Sequence, residues 1–358
     1  MKHSKKVVSL TLITIFLLVI TFTISKYIYE KKNLSTKPIT KSNFSLDTII
    51  TITVYNTEDE KYINKCFEII NKYDNLFSVS KKNSDISKIN NNPNQFVRVN
   101  PDTIELLKHS IKAAKDTNGL FDPTIGKLTD LWDISDKAKK TDATGNLDDK
   151  KNIPPSQKIN SLLSHINYEN IKIKNNSVKL SDSNSKIDLG GIAKGYIADK
   201  LKEYLNTTSL HERAIINLGG NILTINKKKS SEFNIGIQKP FSPNTTIGSL
   251  RVSNKSVVTS GIYERFFKCD NKIYHHILST SNGYPVENNL EGVTIITKKS
   301  TTADALSTSV FTMGLHDGKN YIENLKNVEA IFITKDKKIY LTKGVKNFKL
   351  TDNTYTLS

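Results

Sequence analysis

The sequence predicts an α+β fold with mixed sheets and packed helices. Three observations predict it. Residues 44–56, "FSLDTIITITVYN", alternate apolar and polar positions, the period of a half-buried strand. Residues 57–77 carry Tyr62, Cys66, Phe67, Ile69, Ile70, Tyr73 and Phe77 at helical spacing. Beyond Leu205, short strand-like runs follow one another directly, so strands and helices mix without a regular βαβ repeat.

The elements follow in chain order. Lys2, Lys5 and Lys6 precede eighteen uncharged residues, Val7 to Ile24. That run suits a hydrocarbon core of roughly 30 Å. It is apolar on every face, and Tyr27 and Tyr29 follow at interface positions. There is no lipoprotein cysteine and no clean small-x-small cleavage site, so residues 1–29 read as an uncleaved signal anchor. The expected location is the cell membrane, with the bulk of the chain on the extracytoplasmic side. A cleaved secretory signal is the alternative, and export is common to both. Residues 30–43 read as a polar, lysine-rich tether, and 44–358 as the functional domain.

Pro101 and Asp102 open a helix that ends near Gly119. Residues 135–153 have no periodicity and read as a surface insertion. Residues 171–182 read as a hairpin around Asn175-Asn176, and 192–205 as a helix. Strands are expected at 213–218, 233–238, 248–252, 256–259, 263–268 and 272–278. A helix then runs from about Lys298 to Gly314, with a second near 317–326. Strands near 328–334, 337–341 and 347–351 complete the chain.

The formal charge is +17, almost all of it from Lys; Arg stands only at 98, 213, 251 and 265. A solvated Lys-rich surface explains this, as does an anionic envelope or ligand. Nucleic acid is not an expected partner: there is no Arg-rich patch with interleaved aromatics and no helix-turn-helix or finger spacing. Cys66 and Cys269 lack CxxC and metal spacing and read as unpaired thiols, with a disulfide between them left open.

Several stretches have the residue types for chemistry. In "SKIDLGGIAKGYIADK" (185–200), Gly190 and Gly191 allow close backbone approach, and a helix N-terminus there favours anions. Neither the GxxxxGK[ST] nor the G-x-G-x-x-G spacing is present. In "AIINLGGNILTI" (214–225) an apolar strand meets Gly219-Gly220, a tight turn or a place for close ligand passage. In "IYHHILSTSNGYP" (273–285), alternation places Tyr274, His276 and Leu278 on one face, and Ile273, His275 and Ile277 on the other. In "KKSTTADALSTSVFTMG" (298–314), Asp304 and Thr308 lie four apart on one helix face. Carboxylate and hydroxyl are hard donors suited to Mg²⁺ or Ca²⁺. The ordinary explanation has Thr308 bonding back to the Asp304 carbonyl while Asp304 supports the helix start. Taken one at a time, each stretch has such an explanation.

Their order is more specific. "LDTIITITVY" (46–55), "FDPTIG" (121–126), "DLGGIAKGY" (188–196), "NLGGN" (217–221), "TSGIYERFF" (259–267), "HILSTSNGYP" (276–285) and "TTADALSTSVFTMG" (301–314) resemble successive signatures of the FAD:protein FMN transferase (ApbE) family. The resemblance spans roughly residues 44 to 340. It implies an enzyme that splits FAD between its phosphates, attaches FMN to a Thr or Ser hydroxyl of an exported or membrane acceptor protein, and releases AMP with Mg²⁺.

Carried over by position, the resemblance makes Asp304 and Thr308 the side-chain metal ligands and Gly191 the backbone-carbonyl ligand. His276 matches the catalytic residue. Phe121, Asp122, Asp188 and Lys194 match FAD-contacting positions. Tyr263 lies in a flavin-lining stretch with no definite contact. The start of the 300s helix and the Gly190-Gly191 turn are expected to add backbone donors to the pyrophosphate.

Two departures stand out. The family usually reads I-[IL]-D-P-x-T-G after the His; here Ser279-Thr280 replaces Asp-Pro and Asn282 replaces Thr. Loss of the carboxylate predicts a looser or a reoriented loop beside His276. Val79 and Ser80 stand where relatives often place an aromatic against the flavin, which predicts altered FAD binding. Three alternatives remain at this level: a Mg²⁺-dependent FAD pyrophosphatase yielding FMN and AMP, a flavin-binding surface protein without turnover, and a membrane-attached adhesion or scaffold module. The last leaves residues 188–196 and 301–314 unexplained.

Overall fold

Alternation dictates the central sheet. In the strand Thr48–Tyr55, Ile50, Ile52 and Val54 are buried while the residues between them are not. The computed structural model describes residues 20–25, 38–55, 60–141, 144–147, 149–208, 213–226 and 232–358. Its main sheet has nine strands, in the order Ile39–Ser45, Thr48–Tyr55, Arg213–Leu218, Asn221–Asn226, Ser256–Gly261, Leu290–Thr297, Glu329–Thr334, Lys338–Leu341 and Thr356–Leu357. Every pairing is antiparallel except the last, which is parallel.

One face of this sheet packs Ile50, Ile52, Ala214 and Ile216 against the helices Lys61–Phe77 and Ala193–Thr207, through Ile63, Ile70, Ile197 and Leu201. Further along, Val258, Val293, Ile295 and Ala330 meet the helix Ser300–Glu323 through Ala303, Val310 and Phe311. The opposite face packs Val257, Ile296 and Ile331 against Phe233–Gln238 and Thr246–Val252 of a three-stranded sheet. Each fully buried aliphatic or aromatic side chain here stabilises by about 1.5–3 kcal/mol. Mixed sheets with packed helices are thus what the chain forms.

Several expectations need correction. The strand read over 44–56 is a hairpin: Ile39–Ser45 and Thr48–Tyr55 flank Leu46-Asp47, both at positive φ. The turn lacks the Asn-Gly or Asp-Gly signature of such hairpins. Part of the span read as a tether, from Ile39 onward, is therefore an edge strand. The strands Asn221–Asn226 and Leu290–Thr297 and the helix Asp85–Asn91 were not expected. Residues 135–153 are not merely an insertion: Leu147 and Ile153 pack with Trp132 and Phe267, and the Trp132 indole donates to the Gly283 carbonyl at 2.7 Å. Cys66 and Cys269 are buried in separate clusters and are not bonded to each other.

Most of the expected anchor lies outside the described residues. Residues 20–25 are helical, and among the described residues no helix is long and apolar enough to cross a membrane. The break expected at Gly314 is present, with φ 80° and ψ −175° inside the Ser300–Glu323 helix.

The crossing of the helices Ala193–Thr207 and Ser300–Glu323 positions the site. They touch at Gly195, where a Cβ would fall 2.3 Å from the Ser300 carbonyl and 2.7 Å from Asp304 Cβ. Gly195→Ala is therefore expected to destabilise the fold by about 1–3 kcal/mol despite alanine's better helix propensity. Urea unfolding measures this, and stability at or above that of the unsubstituted chain would refute the close contact.

Candidate active site

Six chain segments converge on one cleft enclosing about 1090 Å³ of open space, solvent at its mouth included. All eight residues singled out from the sequence line it: Phe121, Asp122, Asp188, Gly191, Lys194, His276, Asp304 and Thr308. Their assembly follows from local geometry.

The 121–126 and 186–191 segments are tied side by side. Gly126 N–H donates to the Lys186 carbonyl at 2.9 Å, and Asp188 N–H to the Pro123 carbonyl at 2.8 Å. The Asn90 side chain bonds both the N–H and the C=O of Ile187, at 2.8 and 2.9 Å. Asp188 then turns its carboxylate onto Gly190 N–H at 2.8 Å. Phe121 packs over the Gly190-Gly191 turn; a Cβ on Gly191 would lie 3.2 Å from its ring and 3.7 Å from Thr308 Oγ1.

Asp122 lines the cleft, yet its carboxylate is engaged in holding the loop. One oxygen accepts from Thr124 N–H and its hydroxyl, at 2.8 and 2.6 Å, and the other from Tyr168 N–H at 2.8 Å. Burial raises the pKa of Asp122 despite these bonds.

Asp304 is 5 % exposed. One of its oxygens accepts from Gly195 N–H at 2.8 Å, and burial raises its pKa, opposed by the Lys194 ammonium. The ordinary explanation of Thr308 does not hold. It is Ser307 whose hydroxyl donates to the Asp304 carbonyl, at 2.8 Å, while Thr308 Oγ1 lies 3.4 Å from Ser260 Oγ. Asp304 does not cap the helix either. Asp199, from the neighbouring helix, accepts from Ser300 N–H, Thr301 N–H and the Thr301 hydroxyl at 3.0, 2.9 and 2.7 Å. The first amides of this helix are thus closed to any ligand, against expectation. At the glycine turn Gly190 N–H is already bonded to the Asp188 carboxylate, while Gly191 N–H has no hydrogen bond among the described residues.

The two histidines separate. The strand ends at His275, so the alternation expected to Leu278 fails, and Ile277 and Leu278 line the cleft beside His276. His275 is buried, its Nε2 3.0 Å from the Val286 carbonyl and its ring edge-on to Phe311. His276 Nδ1 lies 3.3 Å from the Arg265 carbonyl, which suits an Nδ1–H tautomer with Nε2 free to accept a proton. Burial, reinforced by Arg265, holds its pKa down at about 3.

The loop after His276 is tied down rather than loose. The Ser279 hydroxyl meets Ser281 Oγ at 2.9 Å and accepts from the Ser281 and Asn282 amides. Thr280 Oγ1 donates to the Gly119 carbonyl at 2.8 Å. Hydroxyls do here what the missing carboxylate was expected to do. Neither Val79 nor Ser80 lines the cleft.

Residues not singled out from the sequence also contribute. Arg265, Glu264, Ser260 and Asn221 line the cleft. Arg265 is one of four arginines in the chain, a rarity that marked it. Its guanidinium and the Lys194 ammonium form no salt bridge among the described residues, leaving two cations open to an anion. Glu264 lines the cleft, where desolvation, opposed by Lys194 and Arg265, lifts its pKa to about 7. Asn221 Oδ1 accepts from the Ser300 hydroxyl at 2.7 Å, and its buried side-chain amide opposes the rise in the Asp304 pKa.

The donor set near Gly191 fits a hard cation. It consists of one carboxylate, one hydroxyl and the Gly191 carbonyl, all oxygen. Among the described residues no cluster of three His, Cys, Asp or Glu forms a metal site, so the chemistry rests on this mixed set.

Comparisons with known proteins agree with this geometry. The ApbE family model matches residues 46–332. A FAD:protein FMN transferase of Klebsiella pneumoniae (strain 342) is 33 % identical over 290 residues, covering 80 % of this chain and 86 % of that one. One from Treponema pallidum (strain Nichols) is 26 % identical over 327 residues, covering 85 % and 87 %. The crystal structure of the ApbE protein from Thermotoga maritima MSB8 superposes with a TM-score of 0.74 at 29 % identity, covering 86 % of this chain and 97 % of that one. With a family match over most of its length and this cleft at its centre, the chain belongs to the ApbE family.

Proposed function

We propose that the chain transfers FMN from FAD to a Thr or Ser hydroxyl of an acceptor protein and releases AMP. What supports the reading is the convergence of two unpaired cations, a neutral imidazole and an all-oxygen donor set on one cleft, within a family whose relatives have this activity. In the reaction the acceptor oxygen bonds to the phosphorus on the FMN side. The bond from that phosphorus to the bridging oxygen breaks, and the bridging oxygen leaves on AMP with the electron pair.

Lys194 and Arg265 hold the pyrophosphate by charge, Arg265 with a planar fork suited to two oxygens. Phe121 walls the glycine turn and keeps water from that side. His276, oriented through Nδ1 by the Arg265 carbonyl, takes the hydroxyl proton at Nε2. Asp304, Thr308 and the Gly191 carbonyl would hold Mg²⁺, which when bound neutralises charge on the pyrophosphate. Asp188 and Asp122 keep the two loops in register for the flavin.

We also propose that residues 1–29 anchor the chain in the cell membrane with the domain on the extracytoplasmic side, so the acceptor is an exported or membrane protein. The apolar run Val7–Ile24 supports this.

The test mixes the full chain with FAD, Mg²⁺ and a membrane and exported protein fraction, with EDTA as control. A flavin-fluorescent band that survives denaturation and requires metal is the expected result. FAD cleaved to FMN and AMP with no such band points to the hydrolase instead. Intact FAD with no band refutes turnover.

A further inference from the structure

The first hairpin borders the cleft. Its Thr48 side chain sits against Gly219, where a Cβ would fall 2.3 Å from Thr48 Oγ1, and Gly219 lines the cleft. Lys139, ion-paired with Asp136 at 2.7 Å, is also within electrostatic reach of Asp47 of this hairpin and Arg265 of the cleft. Lys139 follows the helix Ile134–Ala138, whose Ser135 lines the cleft.

The outward side-chain pairs of the hairpin are unequal. Thr40 and Thr53 bond each other at 2.9 Å, and so do Ser42 and Thr51. The next pair, nearest the mouth, is Phe44 with Ile49, exposed by 70 % and 67 %. Two large apolar side chains side by side in water contribute nothing to folding. The strand that carries Phe44 is also the edge of the nine-stranded sheet, with no strand beyond it among the described residues.

We propose that the Phe44–Ile49 pair and its edge strand are the docking surface for the acceptor protein. The occupant is an extended segment with an apolar side chain close in sequence to the modified hydroxyl. This rests on the function proposed above. The pair stands beside the Thr48–Gly219 contact at the wall of the cleft. A free strand edge suits an extended backbone. The chain's own N-terminal segment joins the strand at Ile39, roughly 17 Å from Phe44 at the rise of a strand, at the end away from the mouth. Ile50 pairs with Leu218, so Ile49 lies beside Gly219 and Phe44 one strand further out.

The test uses the full chain and the protein that bears the fluorescent band in the assay above. The double variant Phe44→Ser/Ile49→Ser is expected to lose about tenfold or more in kcat/KM for that acceptor, through KM. FAD affinity by fluorescence titration and kcat at saturating acceptor stay unchanged. Phe44→Leu/Ile49→Val restores KM. Cosedimentation with vesicles of equal parts phosphatidylcholine and phosphatidylglycerol runs alongside. An unchanged kcat/KM overturns the surface and leaves the function standing. Lost vesicle binding with unchanged transfer overturns it in favour of a membrane contact. No transfer by the unsubstituted chain to any protein overturns function and surface together.

Discussion

Asp304→Asn is expected to lower flavin transfer by about 10²–10³-fold while leaving the fold intact. The buried carboxylate has one oxygen on Gly195 N–H, and an Asn oxygen preserves that bond. The substitution removes the negative charge and one hard donor from the set formed with Thr308 and Gly191. Its stability effect has a definite sign. Burial raises the folded-state pKa of Asp304, so the folded protein holds that proton longer than the unfolded chain does. Stability is therefore lost as pH rises through the interval between the two pKa values. Asn carries no such cost, and the apo Tm at neutral pH should stay level or rise. The increase in Tm on adding Mg²⁺ should disappear, since that increase measures binding to the folded state. Full activity, or an undiminished Mg²⁺ shift, would refute the metal assignment.

His276→Ala is expected to cost about 10²–10⁴-fold in kcat with little change in FAD affinity. The free enzyme keeps this imidazole neutral down to a pKa of about 3, so His276 places no acid limb in kcat/KM near neutrality. Glu264, at about 7, is the cleft group that titrates there. A limb near pH 7 should persist in a slow His276→Ala enzyme and vanish in Glu264→Gln. The two depressed histidines also make the fold acid-sensitive. His275 is held at about 4 by burial and His276 at about 3, against about 6.5 in an unfolded chain. Between those values the unfolded state binds more protons, so stability falls as pH drops from about 6.5 towards 4. Urea midpoints at pH 7 and 5 should differ less in His276→Ala than in the unsubstituted chain. Equal differences would refute a neutral buried imidazole.

Much of the site was legible because its signals are local. Asp304 and Thr308 share a helix face by spacing alone, and both line the cleft. Gly219 and Gly220, both at positive φ, make the tight turn that paired glycines advertise. The hairpin at Asn175 was legible for the same reason. The first hairpin was not, because Leu46-Asp47 adopts positive φ without a glycine. The alternation across His275–Leu278 misled because the strand ends at His275.

Periodicity and residue type by themselves determined the α+β class and the principal helices, and the ordered resemblance to the ApbE family picked out the candidate site residues. Tertiary structure decided which partner each polar group has. Asp304 meets Gly195 across 109 residues, and Asp199 caps a helix that begins 101 residues later. Asp122 is engaged by Tyr168 rather than left to a ligand. Glu264 and Arg265 reach the cleft through the fold's path and not through any spacing. The reason is physical: backbone preference is set by near neighbours, whereas the satisfaction of a buried charge or amide depends on whatever the folded chain brings within hydrogen-bond reach.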